Sequence, residues 1–281
     1  MKSNLQLLSI MILSLLMAVI LGACSGNVSD DTVVDENLSI VDEDINDENI
    51  DNNENVIIEE NDNENNYSDS TDDEYLTLDI DGEYILVKYQ GDSPIVHIPE
   101  TYKGRKVDSV GQNIFRDVQI KEVYFPSTIK RVESLTFEGH SELEKVVLNE
   151  GLEIIEEDAF TDCSSLKEIN IPLTVREMGY RAFKGCTSLS DVVLPEGLNS
   201  IGFECFEGTS LSTFTIPSTV EIVGKNAFVN CKNLTNLYVL SPDTGFNGAV
   251  FDGCPNVVLH GVADSNVEFY AENEGIPFVA E

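Results

Sequence analysis

The chain's 281 residues carry 51 Asp and Glu against 16 Lys and Arg, a formal net charge of −35. Phosphate backbones are held by clustered Lys and Arg, so this balance argues against nucleic acid as a ligand and favours a basic protein or peptide, although solubility alone also accounts for an acidic surface. With three histidines in the chain, the side chain that most often does acid–base chemistry is scarce.

At the N-terminus, Lys2 precedes a mostly apolar run from Leu5 to Ala23 that closes on Leu21-Gly22-Ala23-Cys24. A short apolar stretch behind a positive charge is the plan of a secretory leader. Small residues directly before a cysteine resemble the lipobox of bacterial lipoproteins. That resemblance implies a signal peptide over 1–23, cleavage before Cys24 and lipid on the Cys24 sulfur, which would tether the chain to the outer face of a bacterial membrane. A permanent transmembrane anchor is the alternative for the same run.

Residues 24–74 are expected to form the lipidated cysteine followed by a disordered acidic spacer. From Ser25 to Glu74 there are 19 Asp and Glu and no Lys or Arg. A segment of low hydrophobicity and one sign of charge cannot bury enough surface to offset ordering, and it extends by self-repulsion. Fifty residues reach at most about 165 Å. The Asp-Asn-Glu runs superficially suggest calcium loops, but such a loop needs a glycine at its sixth position, and none lies between Gly26 and Gly82.

The spacing predicts a repeat coil over 75–264. It opens with a hairpin: Leu76, Leu78 and Ile80 alternate up to Asp81-Gly82, and Tyr84, Leu86 and Val87 resume a strand. Then Phe115, Phe137, Phe160, Phe183, Phe206, Phe228 and Phe251 follow one another at 22 or 23 residues. Such a period marks units too small to bury their own apolar face, stable only when stacked. Apolar residues two apart, as in Ile169 and Ile171, suit one short strand per unit, and Pro99, Pro126, Pro172, Pro195 and Pro217 end it. Two residues after each phenylalanine stands Asp117, Gly139, Asp162, Gly185, Gly208, Asn230 or Gly253, residue types that tolerate a left-handed backbone, so a turn with positive φ is expected there. Stacking should place strand on strand at about 4.8 Å, with the rings as an internal ladder.

Residues 265–281 read as a C-terminal cap. Ser265 with Glu268 forms a capping box, Gly275 and Pro277 stop a helix of about ten residues, and Val267, Tyr270 and Ala271 are placed to face the last coil.

The motif Ile216-Pro217-Ser218-Thr219-Val220, Val223-Gly224, Asn226-Ala227-Phe228 and Cys231 through Leu234 resembles the BspA-type leucine-rich repeats of bacterial surface proteins, over roughly Gly91 to Pro255. Leu148-Asn149 lacks the usual proline, and Cys205 stands where alanine is usual. The resemblance implies an α/β repeat solenoid: a right-handed coil with a parallel sheet along one side, a hairpin cap in front and a helix cap behind. For function it implies adhesion or protein binding at a cell surface, with no catalytic residues and no cofactor to carry over.

Cys163, Cys186, Cys231 and Cys254 each stand three residues after a ring, and His140 and Thr209 take that place in other units. A column of His140, Cys163 and Cys186 invites a metal reading. Side chains about 4.8 Å apart, however, fit poorly on one zinc, whose thiolates converge to roughly 3.8 Å, so no metal is expected. Disulfides between neighbouring units, Cys163 with Cys186 or Cys231 with Cys254, are compatible with the spacing, while small apolar packing of reduced thiols is the reading preferred here. His97, His140 and His260 are far apart, and the chain contains no phosphate loop, His-Glu metal motif or nucleophile elbow, so no enzyme is expected.

If Val123, Val146, Ile169, Val192, Phe214 and Leu237 face inward, the next residue of each strand faces out. Those are Tyr124, Val147, Asn170, Val193, Thr215 and Tyr238, preceded by His97 and flanked by Lys121, Lys145 and Lys167. Solenoids bind along extended surfaces and aromatics dominate hot spots, so these seven positions are the candidate protein-binding strip. The same residue types also merely suit strands. A structural or self-associating envelope component without a specific ligand is the competing class, and neither the partner nor the oligomeric state can be read from these residues.

Overall fold

The computed structural model describes residues 74–281. The expected leader, the lipidated Cys24 and the acidic spacer up to Asp73 lie outside the described residues. In chain order, the coil opens with β1 (Tyr75–Ile80) and β2 (Glu83–Tyr89), an antiparallel pair joined through Asp81 and Gly82 at φ 53° and 90°. Both central residues of this two-residue turn are left-handed, as the sequence anticipates. Next come β3 (Ile95–His97), the small antiparallel pair β4 (Thr101–Tyr102) and β5 (Arg105–Lys106), and β6 (Ser109–Val110), which pairs in parallel with β2.

Each of the following coils adds two short strands rather than one. These are β7 (Glu122–Tyr124) with β8 (Arg131–Val132), β9 (Lys145–Val147) with β10 (Ile154–Ile155), and β11 (Glu168–Ile169) with β12 (Glu177–Met178). The next coil supplies only β13 (Ser200–Ile201). The pattern then resumes with β14 (Thr213–Ile216), β15 (Ile222–Val223), β16 (Asn236–Val239), β17 (Gly245–Phe246) and β18 (Val258–Gly261). Helix α1 (Asn266–Glu274) and β19 (Phe278–Ala280) complete the chain.

Two parallel ladders therefore run along the coil. One holds β3-β7-β9-β11 and then β14-β16-β18-β19; the other holds β8-β10-β12 and then β13-β15-β17. The expected α/β solenoid with a sheet on one side is corrected to a nearly all-strand coil with two ladders and, among the described residues, one nine-residue helix. The second ladder escapes a pattern reading because two residues are too few to display a period of two.

Inside, the rings form one continuous stack. From Phe115 to Phe228 they are 0% exposed, and consecutive ring centres from Phe115 to Phe251 lie 5.1 to 5.6 Å apart with planes within 13° of parallel. Burying each ring contributes about 1.5–3 kcal/mol. Phe125 and Phe214 add edge-on contacts to the stack.

The left-handed turns two residues beyond the rings are present at six of the seven positions, with φ of 60° to 76° from Gly139 to Gly253. Asp117 is the exception. Its backbone does not take positive φ, and its carboxylate instead meets the Lys88 amine at 2.7 Å. A second left-handed column, two residues before the rings, has no such signature: Asn113, Leu135, Asp158, Arg181, Glu204 and Asn226 have φ of 54° to 62°. Stacking holds it there. The amides of Leu135, Asp158, Arg181, Glu204 and Asn226 each donate to a carbonyl of the following coil, on Glu157, Tyr180, Phe203, Lys225 and Ala249. Behind the last ring, the Tyr270 hydroxyl accepts from the Val250 amide at 3.0 Å and donates to the Gly248 carbonyl at 3.1 Å.

Where coils approach most closely, glycine is required. A Cβ on Gly179 would stand 2.4 Å from the Glu157 amide nitrogen. Helix α1 starts at Ser265, whose hydroxyl accepts from the Glu268 amide at 3.5 Å, and ends at Gly275 with φ 68°. The Glu268 carboxylate reaches back to the amide of Asp264 rather than that of Ser265, so the expected reciprocal box is displaced by one residue. Val267 and Ala271 are buried, and the Tyr270 ring stacks on Phe246 at 4.8 Å.

Candidate protein-binding surface

Five of the seven sequence-predicted strip residues, His97, Tyr124, Val147, Thr215 and Tyr238, lie at outward register positions of the first ladder, whereas Asn170 and Val193 fall outside its strands; the residue before each one turns toward the core. Val123, Val146, Phe214 and Leu237 are 0 to 2% exposed, Val192 is 7% exposed and Ile169 is half-buried. Pairing fixes the register: His97 lies beside Tyr124 and Tyr124 beside Val147, then Thr215 lies beside Tyr238. Parallel strands keep like positions in file, so the strip is a consequence of the repeat length.

The structure resolves the strip into two aromatic platforms. In front, the His97 and Tyr124 rings stack at 4.4 Å, and the Tyr124 hydroxyl donates to Glu122 at 2.6 Å. That carboxylate raises the Tyr124 pKa. Behind, Tyr238 stacks at 4.4 Å on His260, a residue the sequence reading set apart near the end of the coil. The signal was available: His260 follows Leu259 as Tyr238 follows Leu237, one coil later. Val279 of β19, 44% exposed, extends the same file beyond His260.

A relay fixes the back platform. The Thr235 hydroxyl donates to the Ser212 carbonyl at 3.0 Å and accepts from the Asn236 amide nitrogen at 3.1 Å, which turns the Asn236 oxygen toward His260 Nε2 at 3.0 Å. His260 Nδ1 lies 2.9 Å from the Glu281 carboxylate. Between the platforms, Asn170 does not project as a free contact. Its side-chain amide accepts from the Leu148 amide at 2.9 Å and donates to the Leu148 carbonyl at 2.6 Å. Val193 stands 76% exposed.

The lysines expected to flank the strip are partly engaged within it. Lys145 pairs with Glu168 at 3.1 Å and Lys167 with Glu144 at 3.0 Å. Pairs this exposed are worth little to stability.

The thiol column packs as expected of small buried side chains. Cys163, Cys186, Cys205, Cys231 and Cys254 are free and buried. Four of them donate to carbonyls of the preceding coil: Cys163 to Phe137, Cys186 to Phe160 and Cys231 to Phe206 at 3.1 Å, and Cys254 to Phe228 at 2.9 Å. Burial pushes the Cys205 thiol up to about 12 and the Cys163 and Cys186 thiols well above their ordinary range. His140 lies edge-on to Phe115 and Phe137, and burial lowers its pKa. Among the described residues, no three His, Cys, Asp or Glu side chains are grouped to hold a metal.

Two ladders of short parallel strands around a stacked aromatic core define a repeat solenoid of the leucine-rich kind. Residues 108–235 match the family model of the BspA type leucine rich repeat region in six copies. Among solved structures, the chain is similar to a leucine rich cell surface protein from Faecalibacterium prausnitzii at 24% identity, over 62% of this chain and 55% of that one, with a TM-score of 0.49. The alignment thus spans little more than half the length of that protein. The T. pallidum leucine rich repeat protein is 21% identical over 76% of this chain and all of its own, with a TM-score of 0.47. A leucine-rich repeat protein from Bacteroides ovatus is 20% identical over 68% of this chain and 71% of its own, with a TM-score of 0.36. No curated protein matches the sequence. Among the described residues, no helix is long and apolar enough to cross a membrane.

Proposed function

We propose that the chain is a bacterial cell-surface binding module, tethered by lipid on Cys24, carried outward by the acidic spacer and docking a protein partner on the outward face of the first ladder. The observation that carries this reading is the file of exposed side chains bounded by the His97–Tyr124 and Tyr238–His260 stacks. Stacked rings are held without further ordering and offer apolar edges with polar tips, so a partner meets a rigid surface at low entropic cost. From residue 75 onward, 32 acidic residues face 15 basic ones, which favours a basic partner.

The reading is tested by immobilising the protein and probing it with extracellular proteins, beside a Tyr124→Ser, Tyr238→Ser variant. Loss of the captured partner at unchanged circular dichroism is expected. A variant that retains it refutes the strip, and an inert wild-type chain favours a structural envelope role. For the tether, cells fed radioactive palmitate should label the wild type and not Cys24→Ala; an unlabelled wild type removes the lipid from the account.

A further inference from the structure

We propose that the coil around Asp191–Leu194 is a built-in flexure that divides the solenoid into two stiff segments, each carrying one aromatic platform. Elsewhere the coils are tied through at least one ladder. In the first ladder, Glu144 donates to Lys121 and Lys167 to Glu144, at 2.8 and 3.0 Å, and further on Thr235 donates to Ser212 at 2.9 Å. At the equivalent position of the intervening coil, Ser190 has no such bond among the described residues, and residues 190–198 contain no strand.

The second ladder thins at the same step. Gly179 donates to Ile155 and Gly224 to Ile201, each at 2.8 Å, whereas Gly202 has no such bond to Met178, β12 does not pair with β13, and the bond from Asn199 to Arg176 that remains is stretched to 3.4 Å against 2.9 Å for Arg176 to Glu153 and Glu221 to Asn199 on either side. A cleft of about 350 Å³ lies there, lined by Ile155, Arg176, Met178, Asn199 and Ser200 among others. The second ladder is also open between β6 and β8, but there β3 and β7 close the first. Only at the step after β12 does neither ladder pair strand with strand.

The third side remains stitched. Phe183 stacks on Phe206 at 5.6 Å, the amides of Arg181, Phe183 and Gly185 donate to the next coil at 2.8 to 2.9 Å, and Lys184 meets Glu204 and Glu207 at 2.6 and 3.1 Å. One open wall and one held by a single long hydrogen bond, opposite a closed wall, make a hinge line at the rings.

The sequence supplies a cause. Lys145 lies between Glu122 and Glu168 in the ladder, and the next residue in file, 23 positions after Glu168, is Asp191. Like charges directly opposite destabilise strand pairing. Asn170, which would continue the ladder, turns its amide back to Leu148. Met178, unbranched and adaptable, fills the core beside the opening.

Tyr124 and Tyr238 are five coils apart, roughly 24 Å at about 4.8 Å per coil. Bending between them would adjust the spacing of the two platforms to a partner that touches both. That consequence rests on the docking reading above, whereas the flexure itself does not.

Hydrogen exchange on the full-length chain, read by mass spectrometry or NMR without any ligand, tests the flexure. The amides of Ser190 to Val193 and of Gly202 should exchange at least about tenfold faster than those of Lys167, Thr235 and Gly224. Asp191→Lys, which continues the alternation with Glu168, should slow them toward the neighbouring values. Equal protection in all these coils would overturn the proposal, as would an Asp191→Lys chain that exchanges as fast as the wild type. Failure of partner capture alone would count against the docking reading and leave this measurement standing.

Discussion

Removing one ring from the middle of the stack should be among the most damaging single changes the coil can suffer. Phe183 is 0% exposed and lies between Phe160 at 5.2 Å and Phe206 at 5.6 Å. Phe183→Ala loses the transfer free energy of the ring and leaves a cavity that stacked neighbours cannot close without moving two whole coils. Such truncations cost about 3–5 kcal/mol. The two lost ring pairs, at about 0.5–1.5 kcal/mol each, place this site toward the upper end. Against a total stability of about 5–15 kcal/mol, much of the margin disappears. With a urea dependence of about 2–3 kcal/mol per molar, the midpoint followed by circular dichroism should fall by about 1.5–2 M. Phe269→Ala is the control, since that ring stands 69% exposed on α1 and should shift stability by no more than about 0.5 kcal/mol. A Phe183→Ala chain that unfolds within about 1 kcal/mol of wild type, or no earlier than the Phe269→Ala control, would refute a load shared through the rings.

Gly179→Ala should destabilise by more than about 2 kcal/mol in the same assay, because the added carbon meets the backbone of Glu156 and Glu157 rather than a movable side chain. Leu135→Asn should stabilise by about 0.5–1 kcal/mol, since Leu135 sits at φ 62°, which asparagine tolerates better. Glu133 gives a pH dependence. Burial holds its carboxyl up at about 7; Arg131 relieves part of this, and Glu156 and Glu83 add to it. The folded chain binds that proton more tightly than the unfolded one, so stability is highest below the ordinary Glu range and falls as pH rises through about 7. Glu133→Gln should therefore melt higher than wild type at pH 8, by roughly 1–2 kcal/mol after allowance for partial exposure, with the two curves meeting near pH 4.5. Equal melting at pH 8 would contradict this.

The rings and the glycine-like turns that follow six of them were legible because each repeats a residue type at a fixed interval. What stayed hidden lacks such a signature. The second left-handed column accepts Leu135, Arg181 and Glu204 because the next coil imposes the conformation, so local propensity does not mark it. The second ladder is two residues deep and shows no alternation. Asp117 carries the expected residue type without the conformation, so a residue's tolerance for a shape does not by itself produce that shape. In the strip, His260 was legible from register but was separated by its distance from the other histidines. The turn of the Asn170 amide back to the preceding coil depends on the Leu148 backbone, which no side-chain pattern reports.

The amides of the second left-handed column find their acceptors only in the coil that comes later in the chain. Assembly therefore has a direction: a coil leaving the ribosome stays incomplete until its successor arrives, and shortening the coil from its C-terminal side uncovers the amides of the coil before the cut. Beyond Phe251, one phenol from the helix, that of Tyr270, holds the Gly248 carbonyl and the Val250 amide together, so loss of that single hydroxyl should loosen this coil before the others.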